Sequence, residues 1–148
     1  MTLVRSIMSS PVITADVDTD VPALIALLLE HDISALPIVD ATGALAGIVS
    51  EADLVAKEAY AGHRRRPLEA LADLVNGGET AWALKGRART AAEIMTPHPD
   101  TADPDEDVRA LARRMVEARR KRVPVVEGGT IVGIVARADL LRGLTADA

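Results

Sequence analysis

The sequence contains no cysteine, no phenylalanine, and only one tryptophan and one tyrosine among its 148 residues. Without thiols the chain cannot form disulfides, thiolate nucleophiles or cysteine-ligated metal sites. Because base stacking needs aromatic rings, their near absence argues against single-strand nucleic-acid binding, and the net charge of −5 argues against nucleic-acid binding in general. The core is therefore expected to consist of aliphatic side chains.

Long apolar runs are also missing. No stretch reaches the roughly 18 apolar residues of a transmembrane helix, and the N-terminal sequence lacks the apolar region of a signal peptide. We therefore expect a cytoplasmic protein with no membrane association. The histidines His31, His63 and His98 have no metal-type spacing. No nucleophile elbow, phosphate-binding loop or dinucleotide fingerprint occurs, so the sequence predicts neither a metal site nor an enzyme.

The chain does contain an internal repeat. Residues 7–40 align with residues 94–127 at an offset of 87, with 13 identities in 34 positions. At an offset of 86, "GIVSEADL" at 47–54 matches "GIVARADL" at 133–140. A unit of this length that occurs twice predicts two similar substructures related by an approximate two-fold axis.

Each unit predicts the element order strand, helix, strand, strand, helix, which is an α/β fold of the α+β type. In each first helix the apolar residues follow helical spacing and predict one core-facing stripe. These residues are Val21, Leu24, Ile25, Leu28 and Leu29 in the first unit, and Val108, Leu111, Ala112, Met115 and Val116 in the second. Asp103, Pro104 and Glu106 predict the start of the second unit's first helix. Residues 58–89 have no counterpart in the repeat and predict a helical insert.

Two ordered copies of "IM(S/T)", a helix, "ALPIVD" or "RVPVVE", and "GIV(S/A)xxDL" resemble a tandem pair of CBS domains, the cystathionine-β-synthase motif. The resemblance divides the chain into CBS repeat 1 at 1–57, an inter-repeat insert at 58–89 and CBS repeat 2 at 90–148. It implies two repeats packed about a pseudo-two-fold axis with two clefts between them. Such clefts commonly bind AMP, ADP, ATP, S-adenosylmethionine or NAD, and such pairs commonly form a disc-shaped homodimer.

The resemblance implies a first cleft in which Asp53 accepts hydrogen bonds from the ribose hydroxyls. Ser and Asp at a strand-to-helix turn are also typical helix caps, and the two roles are compatible. Lys121 and Arg122 would contact phosphates, although cations at the end of a helix also stabilise its dipole. The implied set is Ser50, Asp53, Thr96, Pro99, Asp100, Lys121, Arg122 and Val123.

The second cleft implied by the resemblance is poorer in phosphate-binding groups. Its ribose-binding residue would be Asp139, while Ala136 lacks the hydroxyl of Ser50. Arg137 is the nearby cation and would face either the cleft or solvent. Its implied set is Val12, Ile13, Ser34, Ala35, Leu36, Arg137 and Asp139. We therefore predict that the first cleft is the better nucleotide site, and that the second is weaker, prefers a ligand with little phosphate, or is empty.

These features predict a regulatory ligand-sensing module with an adenine nucleotide as regulatory ligand rather than as cofactor. Its output would be a conformational change read by an effector protein, driven by different ligand affinities of two states. The alternative is a structural or interaction module that dimerises without a physiological nucleotide. In that case the insert at 58–89 would contact a partner.

Overall fold

The computed structural model describes residues 1–59 and 88–146 of the chain. The insert predicted at 58–89, and with it any partner contact that it makes, lies almost entirely outside these described residues. The first repeat contains a 3-10 turn at Val4–Ser6, β1 (Ala15–Asp16), α1 (Val21–His31), β2 (Ala35–Val39), β3 (Leu45–Ser50) and α2 (Glu51–Ala59). The second contains α3 (Ala91–Ile94), β4 (Thr96–Pro97), α4 (Val108–Glu117), β5 (Arg122–Glu127), β6 (Thr130–Ala136) and α5 (Arg137–Ala146).

An antiparallel hairpin is the centre of each repeat, β2–β3 in the first and β5–β6 in the second. Gly43 and Gly129, with φ of +84° and +83°, occupy corresponding places in the two turns. In the first sheet β1 lies parallel to β2, and β4 of the other repeat lies antiparallel to β3. Single bridges, Ala102 to Val125 and Ser9 to Ile134, repeat this arrangement in the second. The predicted order of elements is confirmed.

The predicted apolar stripes are correct over two turns of each helix and wrong at their ends. Val21, Leu24 and Leu28 are buried in α1, as are the corresponding Val108, Leu111 and Met115 in α4. Leu29 and Val116, which the periodicity placed in the core, are each 77% exposed. Leu29 and Val116 each lie eight residues after the first buried residue of their helix, and their side chains are therefore rotated about 80° from it around the helix axis. This rotation places both side chains outside the buried stripe.

The predicted helix start at Asp103 is also wrong, because α4 begins at Val108. The Asp103 carboxylate accepts a hydrogen bond from the Asp105 N–H at 2.8 Å and closes a turn before the helix. The carbonyls of Pro104 and Glu106 accept hydrogen bonds from the N–H groups of Arg5 and Val4. Pairing with the N-terminal segment therefore keeps residues 103–106 out of the helix.

Each repeat packs its leading segment into the core of the other. Ala91 and Ile94, which precede the second repeat's strands, are buried in the core formed by α1, β2 and β3. Val4 is buried in the second core, and Ile7 and Met8 pack against it. The two packing units therefore differ from the linear division at residue 57 or 90, and neither core is complete without the other repeat.

The exchanged segments explain the glycine of the repeated "GIV" phrase. A Cβ at Gly47 would lie 2.8 Å from the Thr96 carbonyl oxygen and would also overlap the Met95 side chain. At Gly133 the obstruction comes from the side chain of Met8. At Gly47 the backbone of the other repeat approaches so closely that only a residue without Cβ fits, whereas at Gly133 the close contact is with a side chain that can move.

We expect Gly47→Ala to lower the free energy of unfolding by about 1–3 kcal/mol, because a methyl group there forces backbone atoms apart. Gly133→Ala is the matched control and should cost less, since the flexible Met8 side chain can move aside. Urea denaturation of both variants measures the difference. Equal losses, or a larger loss for Gly133→Ala, would contradict the close backbone approach at Gly47.

Candidate functional site

Asp53 caps the helix that follows β3. Its Oδ2 accepts hydrogen bonds from the Ser50 N–H at 2.9 Å and the Ser50 hydroxyl at 3.2 Å. The Ser50 Oγ in turn accepts from the Asp53 N–H at 3.4 Å, which completes a capping box at the start of α2. Asp53 is 7% exposed, and the positive end of the helix dipole favours its negative charge there.

Asp139 repeats this arrangement at the start of α5 with two changes. Its Oδ2 accepts from the Ala136 N–H at 2.8 Å, and Ala136 has no hydroxyl to add. Its Oδ1 forms an ion pair with the Arg142 guanidinium. Asp139 is 5% exposed, although the Arg142 side chain is 68% exposed. Both aspartates thus serve as helix caps, as their sequence positions allowed, and capping occupies Oδ2 in each.

A cavity of about 320 Å³ lies between the two repeats beside Asp139. The first repeat supplies one wall from the segments that precede and begin its strands, and the second supplies the other from the end of β6 and the start of α5. Five residues of the predicted second cleft line it: Val12, Ile13, Ser34, Ala35 and Asp139. The backbone positions of Ala35 and Ser50 pair across the β2–β3 hairpin, which places the strand ends at this junction.

Two residues of that predicted set lie elsewhere. Leu36 is completely buried in the first core, because successive residues of β2 point to opposite faces of the sheet. Arg137, predicted as the cation of the second cleft, lines a separate groove with Met115, Val116 and Leu140. It is the first residue of α5 and is exposed, so its side chain lies outside the inter-repeat cavity.

The cation that lines the inter-repeat cavity is Arg122. Its Nη2 donates a hydrogen bond to the Ser34 Oγ at 2.8 Å, from the first residue of β5 to the residue just before β2. The sequence assigned Arg122 to the first cleft by its position in the repeat. The difference arises because the long Arg122 side chain reaches from the start of β5 to Ser34 of the other repeat.

Two acidic residues of the cavity were missed in the sequence. Asp32 follows α1 with a left-handed φ of +50°, and Glu51 is the first residue of α2. Both line the cavity together with Asp139 and Arg122, so its lining contains three carboxylates and one guanidinium. One sequence feature pointed to Asp32: an aspartate stands after the first helix, where glycine is more usual. Tertiary packing decides whether its side chain lines the cavity.

The residues predicted for the first cleft are distributed over several places. Asp100 and Val123 line a cavity of about 390 Å³ with Arg114, Met115 and Arg120. Of the other members, Ser50 and Asp53 hydrogen-bond to each other, and Thr96 pairs with Ile48 in the sheet. Pro99 precedes Asp100 in a loop. Lys121 is exposed, and its carbonyl oxygen accepts a hydrogen bond from the Arg137 N–H.

The Asp100 carboxylate accepts a hydrogen bond from the Arg120 Nε at 2.8 Å. That ion pair is about half exposed on both sides. The positive charge of Arg120 near the first cleft is therefore paired with the negative charge of Asp100. In the ranges 1–59 and 88–146, no three His, Asp or Glu side chains are grouped as a metal site would require. No helix in those ranges has the length and apolarity needed to cross a membrane.

Residues 4–60 and 91–146 match the family described as the CBS domain. The chain is 31% identical over 164 residues to the uncharacterized protein MJ1426 of Methanocaldococcus jannaschii, covering 96% of this chain and 90% of that protein. It is 28% identical over 130 residues to the chloroplastic CBS domain-containing protein CBSX2 of Arabidopsis thaliana, covering 84% of this chain. There the chain spans about half of the relative, 55% of its length.

Solved structures show the same fold. The CBS domain pair of protein MJ0100, in complex with 5′-methylthioadenosine and S-adenosyl-L-methionine, has a TM-score of 0.73 and 32% identity, covering 100% of this chain and 99% of that one. The structure of CBSX2 in complex with AMP has a TM-score of 0.82 and 24% identity, covering 99% of each chain. The predicted fold class, two repeats of this type, is confirmed.

We expect Ser50→Ala to lower the free energy of unfolding by about 0.5–2 kcal/mol, because it removes the hydroxyl from the capping box of α2. Ala136→Ser is the reciprocal control, since it adds a hydroxyl at the corresponding position before α5 and should be neutral or stabilising. Thermal or urea unfolding of both variants tests this. An unchanged stability for Ser50→Ala would show that the Ser50 hydroxyl contributes nothing to the cap.

Proposed function

The chain belongs to the CBS-domain family, and we propose from this premise that it is a regulatory module that binds an adenosine-containing ligand between its two repeats. The observation that carries the proposal is the cavity beside Asp139, where a buried carboxylate, apolar walls and one guanidinium converge. A concave site with apolar lining and few polar groups is typical of small-molecule binding. The ligands of the MJ0100 domain pair, 5′-methylthioadenosine and S-adenosyl-L-methionine, support an adenosine moiety as the common element.

The proposed binding mode assigns each part of the ligand to a different wall. The Asp139 carboxylate accepts the ribose hydroxyls through Oδ1, which requires that the exposed Arg142 side chain release it. Val12, Ile13 and Ala35 supply the apolar surface for adenine. Arg122, already positioned by Ser34, contacts a phosphate with its planar fork of donors.

The charge of the cavity favours a ligand that carries little phosphate. Asp32, Glu51 and Asp139 line the cavity with Arg122, and Arg142 pairs with Asp139, so carboxylates outnumber cations around an added phosphate charge. We therefore propose that AMP or an uncharged adenosine thioether binds better than ADP or ATP. This agrees with the ligand preference predicted for the second cleft. It departs from the predicted higher rank of the first cleft, because we propose the second cleft as the adenosine site.

The proposed output is a shift between two conformations of the repeat pair. A ligand that contacts both repeats shifts their relative arrangement only as far as its affinities for the two states differ. Since both cores contain residues from both repeats, such a shift would change surfaces on each of them. We propose that an effector protein detects this change, and that the module itself is not a catalyst.

Asp139→Asn should weaken binding of AMP and of 5′-methylthioadenosine by about tenfold to a hundredfold, because it removes a charge-assisted acceptor but keeps the capping oxygen. Asp53→Asn is the matched control, with the same capping position in the other repeat, and should have little effect. Isothermal titration calorimetry measures both. The reverse order would mean that the first cleft is the adenosine site.

The wild-type protein itself tests the proposal as a whole. If AMP, 5′-methylthioadenosine and S-adenosyl-L-methionine at millimolar concentration give neither heat nor a change in melting temperature, the ligand-sensing proposal fails. That result would favour the structural or interaction module. If affinity rises with the number of phosphates from AMP to ATP, the proposed preference for ligands with little phosphate is wrong. The ligand-sensing proposal would still stand.

Arg122→Gln should weaken AMP about tenfold and leave adenosine nearly unchanged, because only the phosphate contact is lost. Arg137→Gln is the control, since it removes the cation that the sequence assigned to this cleft but that lines a different groove. Comparing AMP with adenosine for both variants separates a phosphate contact from a general effect on folding. Equal loss of both ligands in Arg122→Gln would show a structural role instead.

A further inference from the structure

The cavity of about 390 Å³ beside Asp100 is formed by the second repeat alone. Every described residue that lines it falls between positions 100 and 123, on the loop after β4, on α4 and at the start of β5. The clefts implied by the resemblance, in contrast, lie between the two repeats. No described residue lines both this cavity and the inter-repeat cavity. We term it the α4 cavity.

The floor of the α4 cavity is apolar. Leu111, Met115 and Val123 form it, and each is at most 2% exposed and belongs to the second core. Val123 follows Arg122 in β5, and successive residues of a strand point to opposite faces. Since Arg122 lines the inter-repeat cavity, the two cavities lie on opposite sides of the strand. A concave space with an apolar floor and few polar groups is typical of small-molecule sites.

The rim of this cavity is where the two repeats differ. Three positions that are aliphatic in the first repeat are charged in the second. At the repeat offset of 87 they pair as Ile13 with Asp100, Leu27 with Arg114, and Ile33 with Arg120. The aliphatic side chains pack against the first core, whereas the charged side chains are each about half exposed. The charged residues therefore leave open a space that aliphatic residues cover in the first repeat.

The two arginines of the rim differ in what they can still bind. Arg114 donates to both carboxylate oxygens of Glu106, at 3.1 and 2.7 Å, and to the Thr101 carbonyl at 3.1 Å, so it is a fixed part of the wall. Arg120 donates to Asp100 through Nε alone, at 2.8 Å. Within the described part of the chain its Nη1 and Nη2 donate to no acceptor. Asp100 thus orients a guanidinium whose two terminal nitrogens remain available.

Glu117 supplies the opposite charge at the same rim. It is the last residue of α4 and lies three residues before Arg120. Its exposed carboxylate forms no hydrogen bond or ion pair with any described residue. The negative end of the helix dipole adds to the attraction for a cation there. One anion-binding and one cation-binding group therefore border a single apolar floor.

We propose that the α4 cavity binds a free α-amino acid with an aliphatic side chain. Its carboxylate accepts hydrogen bonds from Nη1 and Nη2 of Arg120, whose planar fork matches two oxygens. Its ammonium group pairs with Glu117, and its side chain covers Leu111, Met115 and Val123. A simple carboxylic acid would place its charge beside Glu117 without pairing it, which disfavours that class of ligand. This site does not depend on adenosine binding.

L-leucine and three analogues test each part of the assignment. On the wild-type protein, L-leucine at millimolar concentration should give heat in titration calorimetry and raise the melting temperature. L-leucinamide lacks the carboxylate charge, N-acetyl-L-leucine lacks the ammonium charge, and glycine lacks the aliphatic side chain. Each should bind about tenfold more weakly or worse. No heat from L-leucine, or an analogue that binds as tightly, would overturn the inference.

Variants of the rim locate the binding. Arg120→Gln should weaken L-leucine about tenfold, because it removes the guanidinium fork. Arg119→Gln is the matched control, since it removes the same charge one residue earlier, from a side chain that lines a different groove. Arg120→Ile restores the aliphatic residue type of the first repeat and should abolish binding by covering the floor. Circular dichroism checks that all variants are folded. Equal effects of Arg119→Gln and Arg120→Gln, or full binding by Arg120→Ile, would place L-leucine elsewhere and overturn the assignment.

Discussion

The close approach of each repeat's leading segment to the other repeat's hairpin is the constraint on which the rest of the structure depends. Met95 lies against Gly47, and Met8 lies against Gly133. Through these contacts Ile94 completes the first core and Val4 completes the second. Because side chains in such cores are packed at high density, the relative position of the two hairpins is set to within small displacements. The inter-repeat cavity is a consequence of that position.

The aspartates at the strand-to-helix junctions combine two roles that use the same physics. A carboxylate at a helix N-terminus is stabilised by the dipole and by unpaired backbone N–H groups, and Asp53 and Asp139 both satisfy one such group through Oδ2. The capping bond also fixes the direction of the side chain. A carboxylate that is held rigidly is a better acceptor for a diol than a mobile one, because less side-chain entropy is lost on binding. Capping therefore prepares the site that we propose for ribose.

The two repeats have kept their packing and changed their charges. Gly47 and Gly133, and the buried positions of α1 and α4, correspond closely. At the solvent side Asp32 and Glu51 stand where the second repeat has Arg119 and Arg137. Packing constrains buried positions through volume, whereas exposed positions are free to take either sign. The result is a chain whose halves are alike in fold and complementary in surface charge, a property that neither half has alone.

The sequence by itself determined the repeat, the order of strands and helices, the turns and the aliphatic core, because these depend on periodicity and local backbone preference. The resemblance to CBS pairs, and not local pattern, implied Asp139 together with Val12, Ile13, Ser34 and Ala35, which line one cavity. Only the tertiary structure decided that Arg122 and not Arg137 is the cation there, that Leu29 and Val116 are exposed, and that α4 starts at Val108. The position of Arg122 depends on the reach of a long side chain into the other repeat, and the start of α4 on contacts with the N-terminal segment about a hundred residues away. Local sequence patterns do not record either of these long-range contacts.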